Sequence, residues 1–247
     1  MNESLAHSLY DLATANRVVA NEGVLDAFGH ISIRNPANST RYFLSCSRSP
    51  ELVEVEDLHE YDLESQPIAS PKHAMYLERV IHGEIYKARP DVMAVCHHHA
   101  PAILPYCISG ERLMPVFILG GVLGSEVPFW DQRDDFGDTN MLVQRPDEGA
   151  SLAQALGQHM AVLMRRHGAT VVAKNLRELV FRTIYGARNA EYQTQAKLVG
   201  NVSTLSAGEV ALIGAQSEQP GALSRAWEYW VTRLAKRGDL PKRPEGV

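Results

Sequence analysis

The chain of 247 residues is long for one compact domain and short for two, so a single domain over residues 1–247 with a sizeable core is expected. Hydrophobic residues make up 45% and charged residues 21%, and 29 acids against 24 bases leave a net charge of −5, which speaks against a polybasic nucleic-acid surface and a low-complexity tail. Cys46, Cys96 and Cys107 lack CxxC spacing, which argues against a disulfide framework and a cysteine zinc site and suits a reducing, cytoplasmic setting; no signal peptide is expected, and no stretch nears the roughly 20 apolar residues of a membrane span.

From Leu5 to Val19, the residues Leu5, Leu9, Leu12, Val18 and Val19 recur at helical spacing, and Gly23 lies where that helix would end. His30 to Arg34 and Arg41 to Leu44 flank the turn residues Asn35-Pro36-Ala37-Asn38 and predict a β-hairpin, after which Ser45-Cys46-Ser47-Arg48-Ser49-Pro50 reads as a polar loop. A second helix is predicted from about Lys72 to Ala88 on the apolar stripe Leu77, Ile81 and Ile85, stopped by Arg89-Pro90-Asp91, and Val92 to His99 then reads as a strand. Pro101 to Pro128 is so punctuated by glycine and proline that short strands, a brief helix and loops are expected there. Ser151 to Leu156 predicts a short helix, Ala161 to Met164 and Thr170 to Ala173 predict strands around His167-Gly168, and Leu176 to Leu198 predicts a long helix. A last helix near Ala207 to Arg237 should break within Gly214 to Gly221, and Pro241 to Val247 reads as a mobile tail. Helices alternating with short strands, with no repeat and no linker, point to an α/β layered domain.

Strand alternation puts Val95, His97 and His99 on one face and Ala94, Cys96 and His98 on the other. Two imidazoles so placed can converge on one metal ion, and neutral imidazole suits Zn, Mn, Fe and Ni alike; the competing reading is a polar strand end. His167 follows Arg165-Arg166 in a turn that Gly168 permits, where a lone histidine is more often a surface residue than a ligand. Glu78 shares a predicted helix face with Met75, His82 and Ile85, so it reads either as an i, i+4 surface partner of His82 or as a ligand or general base beside a metal. Cys96, facing away from the histidine pair, reads as a small buried apolar residue. Gly120, Gly121 and Gly124 lack the spacing of a phosphate loop, and Trp227, Tyr229 and Trp230 read as packing residues of the last helix or as cover for a subunit interface.

Taken in order, Glu78, His82, Arg89-Pro90-Asp91, Ala94-Val95-Cys96-His97-His98-His99-Ala100-Pro101 and Arg166-His167-Gly168-Ala169 resemble the class II aldolase/adducin family, from the first helix to about Leu198. The resemblance implies a three-layer αβα sandwich around a mainly antiparallel central sheet, and a homotetramer with active sites at subunit interfaces. It further implies that His97, His99 and His167 hold one divalent metal, Mn or Zn, and that Glu78 is the acid/base residue. Adducin-like relatives use the fold without catalysis, but all three histidines are present here.

This chain departs from the sugar-phosphate aldolases of that family at two places. Gly29-His30 stands where they carry Gly-Asn, and Tyr76-Leu77 replaces a Ser-Ser pair that helps hold the phosphate. Arg48 in the first loop offers a fork of donors suited to a carboxylate, so His30, Ser47 and Arg48 are the candidate substrate-binding residues. These departures resemble the family's decarboxylase branch, whose members act on hydroxylated aromatic, pyridine or ring-fission dicarboxylic acids. Decarboxylation and retro-aldol cleavage both leave an electron pair that one Lewis acid can delocalise into an enolate. A decarboxylase of an unphosphorylated carboxylic acid is therefore the leading expectation, and an aldolase acting on a hydroxy acid or sugar phosphate the alternative.

Overall fold

In a computed structural model of the chain, residues 3–217 and 220–244 are described. The first helix, α1 (Glu3–Asn21), buries Leu9, Leu12, Val18 and Val19 and ends where expected, with the Gly23 amide donating to the Ala20 carbonyl at a left-handed φ of 72°. The predicted hairpin forms as β1 (His30–Arg34) and β2 (Arg41–Ser45), and β3 (Leu58–Asp62) pairs with its outer edge. Next come α2 (Arg79–Ala88), β4 (Ala94–His98), α3 (Leu104–Ser109), the two-residue β5 (Phe129–Trp130), α4 (Gln132–Phe136) and α5 (Pro146–Leu156). The chain closes with β6 (Ala161–Met164), β7 (Gly168–Ala173), α6 (Leu176–Val199), α7 (Ala207–Ser217) and α8 (Pro220–Arg237).

One seven-stranded sheet runs in the order β3-β2-β1-β4-β7-β6-β5, antiparallel throughout except for the β5–β6 pair. Alternation gives it two different faces. Ile31, Ile33, Phe43, Cys96 and Val171 pack against α1, α6 and α8, where Trp227 and Trp230 are buried in the same cluster. Tyr42, Leu44, Val95, Val162 and Val172 pack instead against Val80, Ile81 and Ile85 of α2 and Leu152 and Leu156 of α5. These are the three αβα layers expected. Each of those fully buried aliphatic side chains contributes roughly 1.5 to 3 kcal/mol by leaving water. Helices α2 and α5 approach closely because Gly149 has no side chain: a Cβ there would stand 2.8 Å from Glu84 Cγ and 3.0 Å from the Val80 carbonyl oxygen.

Register then decides what shares the α2 face. His30 lies opposite His97, and His97 lies opposite Thr170, so the three side chains form a row across β1, β4 and β7. Ser32, two residues along from His30, lies opposite Val95 and shares that face.

Several elements differ from expectation. The second helix starts at Arg79 rather than near Lys72, because Met75 bridges to Cys46 and the Ser47 amide donates to the Ala74 carbonyl, capturing that segment as an extended edge. Leu77, expected in the apolar stripe, is 56% exposed. The α5 helix begins five residues earlier than Ser151, at Pro146, where a proline loses no helix hydrogen bond. Pro101 to Pro128 holds one helix and a 3₁₀ segment (Ile118–Leu123) but no strand. Where one last helix with a break within Gly214 to Gly221 is expected, α7 is described to Ser217 and α8 from Pro220; residues 218 and 219 lie outside the described residues. In the tail expected to be mobile, Pro241 is buried, the Lys242 amide donates to Glu54 Oε2 and the Arg243 guanidinium lies over the Tyr10 ring; Glu245 to Val247 lie outside the described residues.

Candidate active site

Four side chains from three places in the chain meet at one end of the α2 face. His97 is on β4, His99 just beyond its end, His167 in the turn between β6 and β7, and Glu78 immediately before the first residue of α2. Their ligand atoms all lie within 4.8 Å of one another. His97 Nε2 is 3.1 Å from His99 Nε2 and 3.7 Å from Glu78 Oε2, and His167 Nε2 is 3.5 Å from Glu78 Oε1. His97 and Glu78 are buried, while His99 and His167 are half-buried.

Local backbone geometry aims these groups. Arg166 takes a positive φ of 53° and the His167 amide donates to the Met164 carbonyl, which turns the chain so that His167 faces the strand ends. Gly168 serves by its smallness: a Cβ there would run into the His98 carbonyl oxygen and come within 2.9 Å of His99 Cδ2. Glu78 Oε1 accepts from the Val143 amide at 2.9 Å, a contact that leaves Oε2 toward His97. The expected surface pairing of Glu78 with His82 is not made, because Glu78 precedes the helix and His82 turns inward to β1.

The outer nitrogens of two histidines are already used. Thr170 Oγ1 donates to Met164 Sδ and so accepts from His97 Nδ1 at 3.2 Å, while the Asp26 carboxylate accepts from His99 Nδ1 at 3.2 Å. A neutral ring with its hydrogen on Nδ1 offers Nε2 as a lone pair, and two such lone pairs 3.1 Å apart repel unless a cation lies between them. Burial, reinforced by the neighbouring His167 and His99, holds His97 well below the usual imidazole range, so it stays neutral. Nitrogen donors about 2.0–2.1 Å from a tetrahedral metal stand about 3.3 Å apart, close to the separations here, so three imidazoles and one carboxylate fit a divalent ion. His98, on the opposite face, accepts from the Ala100 amide and takes no part.

A cavity of about 520 Å³ opens beside this cluster, walled by Phe28, Leu77 and Leu142 on its apolar side and by His30, Ser47, Arg48 and Tyr76 on its polar side. Glu78, His99 and His167 form its floor. All three residues expected to bind substrate thus line one space. Arg48 is not an unpaired cation, however: its Nη1 donates to both oxygens of the buried Asp57 at 3.0 and 3.1 Å, while the residue also lines the cavity. The Tyr76 hydroxyl donates to the Arg48 carbonyl, and its ring lies 4.5 Å from that of His30. His30 Nδ1 in turn contacts His82 Nε2 at 2.7 Å, and Ser32 Oγ bridges His82 Nδ1 at 2.6 Å to the Tyr86 hydroxyl at 2.8 Å.

Asp26, Thr170, Ser32, Tyr86 and the Val143 amide escaped the sequence reading. Thr170 was within reach, since alternation along β7 places it toward the same face as His97, but pairing β4 with β7 cannot be read from either strand alone. The Val143 amide carries no side-chain signal at all.

Comparison with known proteins places the chain in a family. Residues 10–194 match the Class II Aldolase and Adducin N-terminal domain family. The decarboxylase tropJ of Talaromyces stipitatus is 34% identical over 239 residues, covering 87% of this chain and 89% of that protein. A 3,4-dihydroxyphthalate decarboxylase of Arthrobacter keyseri is 28% identical over 188 residues, covering 70% and 72% of the two chains. Among solved structures, the L-fuculose 1-phosphate aldolase from Glaciozyma antarctica PI12 superposes with a TM-score of 0.80 at 23% identity, over 97% of this chain and 93% of that one. An aldolase II superfamily protein from Pseudomonas syringae gives 0.81 at 19% identity, over 97% and 96%. The chain belongs to the class II aldolase and adducin N-terminal domain family.

Proposed function

We propose that this protein is a lyase that releases carbon dioxide from an unphosphorylated, hydroxylated aromatic, pyridine or ring-fission dicarboxylic acid, with one Mn or Zn ion held by His97, His99 and His167 beside Glu78. The observation that carries this reading is the cavity wall: beside a cluster suited to a metal stand Leu77, Phe28 and Leu142, and no pair of hydroxyls is placed at positions 76 and 77 to hold a phosphate. A flat ring fits such a wall. The decarboxylase names of two relatives point the same way.

When bound, the metal supplies Lewis acidity that stabilises the electron pair left as carbon dioxide departs. The chain's own residues do the rest. Arg48, anchored on Asp57, offers its remaining donors to the far carboxylate. Phe28, Leu77 and Leu142 cover the ring and exclude water, and His30 and Ser47 bind substrate oxygens from the polar wall. Glu78, fixed through Oε1 by the Val143 amide, takes the proton of a substrate hydroxyl and delivers it to the carbon that loses the carboxylate.

Ile118, Leu198, Val199 and Leu212 are large apolar side chains that are more than half exposed in the single chain, which supports self-association, and the assembly we propose is a homotetramer. Light scattering checks it. The three cysteines are free and buried, in keeping with a cytoplasmic setting, and no helix among the described residues is long and apolar enough to cross a membrane. The deciding assay measures carbon dioxide release from 3,4-dihydroxyphthalate and from hydroxypyridine dicarboxylates, with aldehyde release from L-fuculose 1-phosphate measured beside it. Faster carbon dioxide release supports the proposal, and faster aldehyde release replaces it with retro-aldol cleavage.

A further inference from the structure

The chain from Tyr86 through Ser32 and His82 to His30 has one end sealed in the protein and the other on the cavity. All four residues are essentially fully buried, and the Tyr86 hydroxyl has Ser32 Oγ as its contact among the described residues. At the other end, His30 Nε2 is buried without a partner, while the His30 side chain lines the cavity beside Glu78, His99 and His167. The two nitrogens of an imidazole ring point in nearly opposite directions, so Nε2 faces away from His82. An unpartnered buried nitrogen of this kind calls for a ligand atom.

Counting hydrogens sets the direction of the chain. Among the described residues no carboxylate is hydrogen-bonded to the ring of His30 or His82, so two neutral rings share two N–H groups, and the hydroxyls supply two O–H groups. If Ser32 gave its hydrogen to Tyr86, the Tyr86 hydrogen would be left in a buried place with no acceptor, which is costly. In the opposite order every hydrogen within the protein is met. Tyr86 donates to Ser32, Ser32 to His82 Nδ1, and His82 Nε2–H to His30 Nδ1. The one hydrogen left over is on His30 Nε2, the buried unpartnered nitrogen of a side chain that lines the cavity.

We infer that His30 presents a fixed Nε2–H donor to a substrate oxygen, and that His82 and Ser32 are positioning residues that hold it in this tautomer. The substrate side of this inference rests on the function proposed above; the tautomer does not. The chemistry it selects is a hydrogen-bond acceptor, a carboxylate or phenolate oxygen, at that place in the ligand. A substrate with a donor or a bare carbon there leaves the buried N–H unmet and binds poorly.

The test is ring-nitrogen NMR on the intact protein labelled with ¹⁵N-histidine, with signals assigned by their loss in His30→Gln and His82→Gln. The expected spectrum shows His30 and His82 both protonated at Nε2 and bare at Nδ1. Ser32→Ala, which removes the hydroxyl that sets the direction, should mix the two tautomers of His30, and Ser32→Thr should restore one. Carbon dioxide release from 3,4-dihydroxyphthalate should fall about tenfold in kcat/KM for Ser32→Ala, chiefly through KM, and recover in Ser32→Thr. A wild-type His30 bare at Nε2 overturns the inference, and an unmixed tautomer in folded Ser32→Ala overturns the positioning role. If the wild type releases no carbon dioxide from any acid tested, the proposed reaction fails while the spectrum still decides the tautomer.

Discussion

Two groups of histidines stand side by side on the α2 face of the sheet, and neighbouring rings from the two groups, His30 and His97, have centroids 5.2 Å apart. In the first, His97, His99 and His167 turn nitrogens toward Glu78 and one another, with Thr170 and Asp26 occupying the outer nitrogens of two of them. In the second, His30 and His82 spend three of their four ring nitrogens on each other and on Ser32. The same side chain thus does opposite things within a few ångströms. What separates the groups is the carboxylate: where Glu78 is present the lone pairs converge on a point that a cation can fill, and where it is absent the rings close into a hydrogen-bonded chain.

The largest effect should come from breaking the first group. Changing both His97 and His99 to Ala removes two of three imidazoles, and metal content should fall to below about a tenth of wild type, with activity lost alongside. Elemental analysis of the folded double variant checks this; full metal retention would place the ion elsewhere. The next largest is Glu78→Gln. The amide oxygen can still accept from the Val143 amide, so metal and fold should survive while turnover falls by roughly two to four orders of magnitude, the range of a positioned acid or base. Near-normal turnover in single-turnover assays would reduce Glu78 to a structural acceptor.

Why one group was legible in the sequence and the other was not follows from spacing. His97 and His99 are two residues apart on one strand, so alternation alone puts them on one face, and His167 and Glu78, visible as candidates in a glycine turn and on a helix face, took their roles beside that pair from the resemblance to a known family. The placement of Glu78 was legible only in part. Its helix begins one residue later than it, because Met75 bridges to Cys46, and tertiary pairing of that kind overrides the helical periodicity that suggested Lys72 as the start. His82 reads as a surface partner from its i, i+4 spacing, yet it is fully buried and joined to residues about fifty positions away. Packing of α2 onto β1 built that contact, and no local pattern encodes it.

Arg48 sharpens the comparison from the substrate's side, since it is the cation of the polar wall and Asp57 already claims part of it. A guanidinium can pair with Asp57 through Nη1 and keep donors for a ligand, whereas the single ammonium of Arg48→Lys must choose. KM for the dicarboxylic acid should rise at least about tenfold, equivalent to about 1.5 kcal/mol, with kcat less affected. An unchanged KM would mean that the far carboxylate is held by other groups.

The smallest expected effect is on stability, and it separates the second group from the first without any substrate. Burial pushes His82 down to about 3, and burial with the adjacent His82 holds His30 well below the usual imidazole range. An unfolded histidine takes up its proton near pH 6.5. Between those values the unfolded chain binds a proton that the native His82 refuses, so its contribution to stability is fully present above about pH 6.5 and is lost as pH falls toward 3, at up to about 1.4 kcal/mol per pH unit. Denaturant midpoints for wild type and His82→Gln at pH 7.5, 6.0 and 5.0, with the same metal loading so that the cluster's own titration cancels, should show the variant less stable at pH 7.5 but with the shallower decline. Parallel declines would mean that His82 carries its proton in the native state. It would then donate from both ring nitrogens, to His30 as before and to Ser32 Oγ, so that the Ser32–His82 bond alone would run the other way.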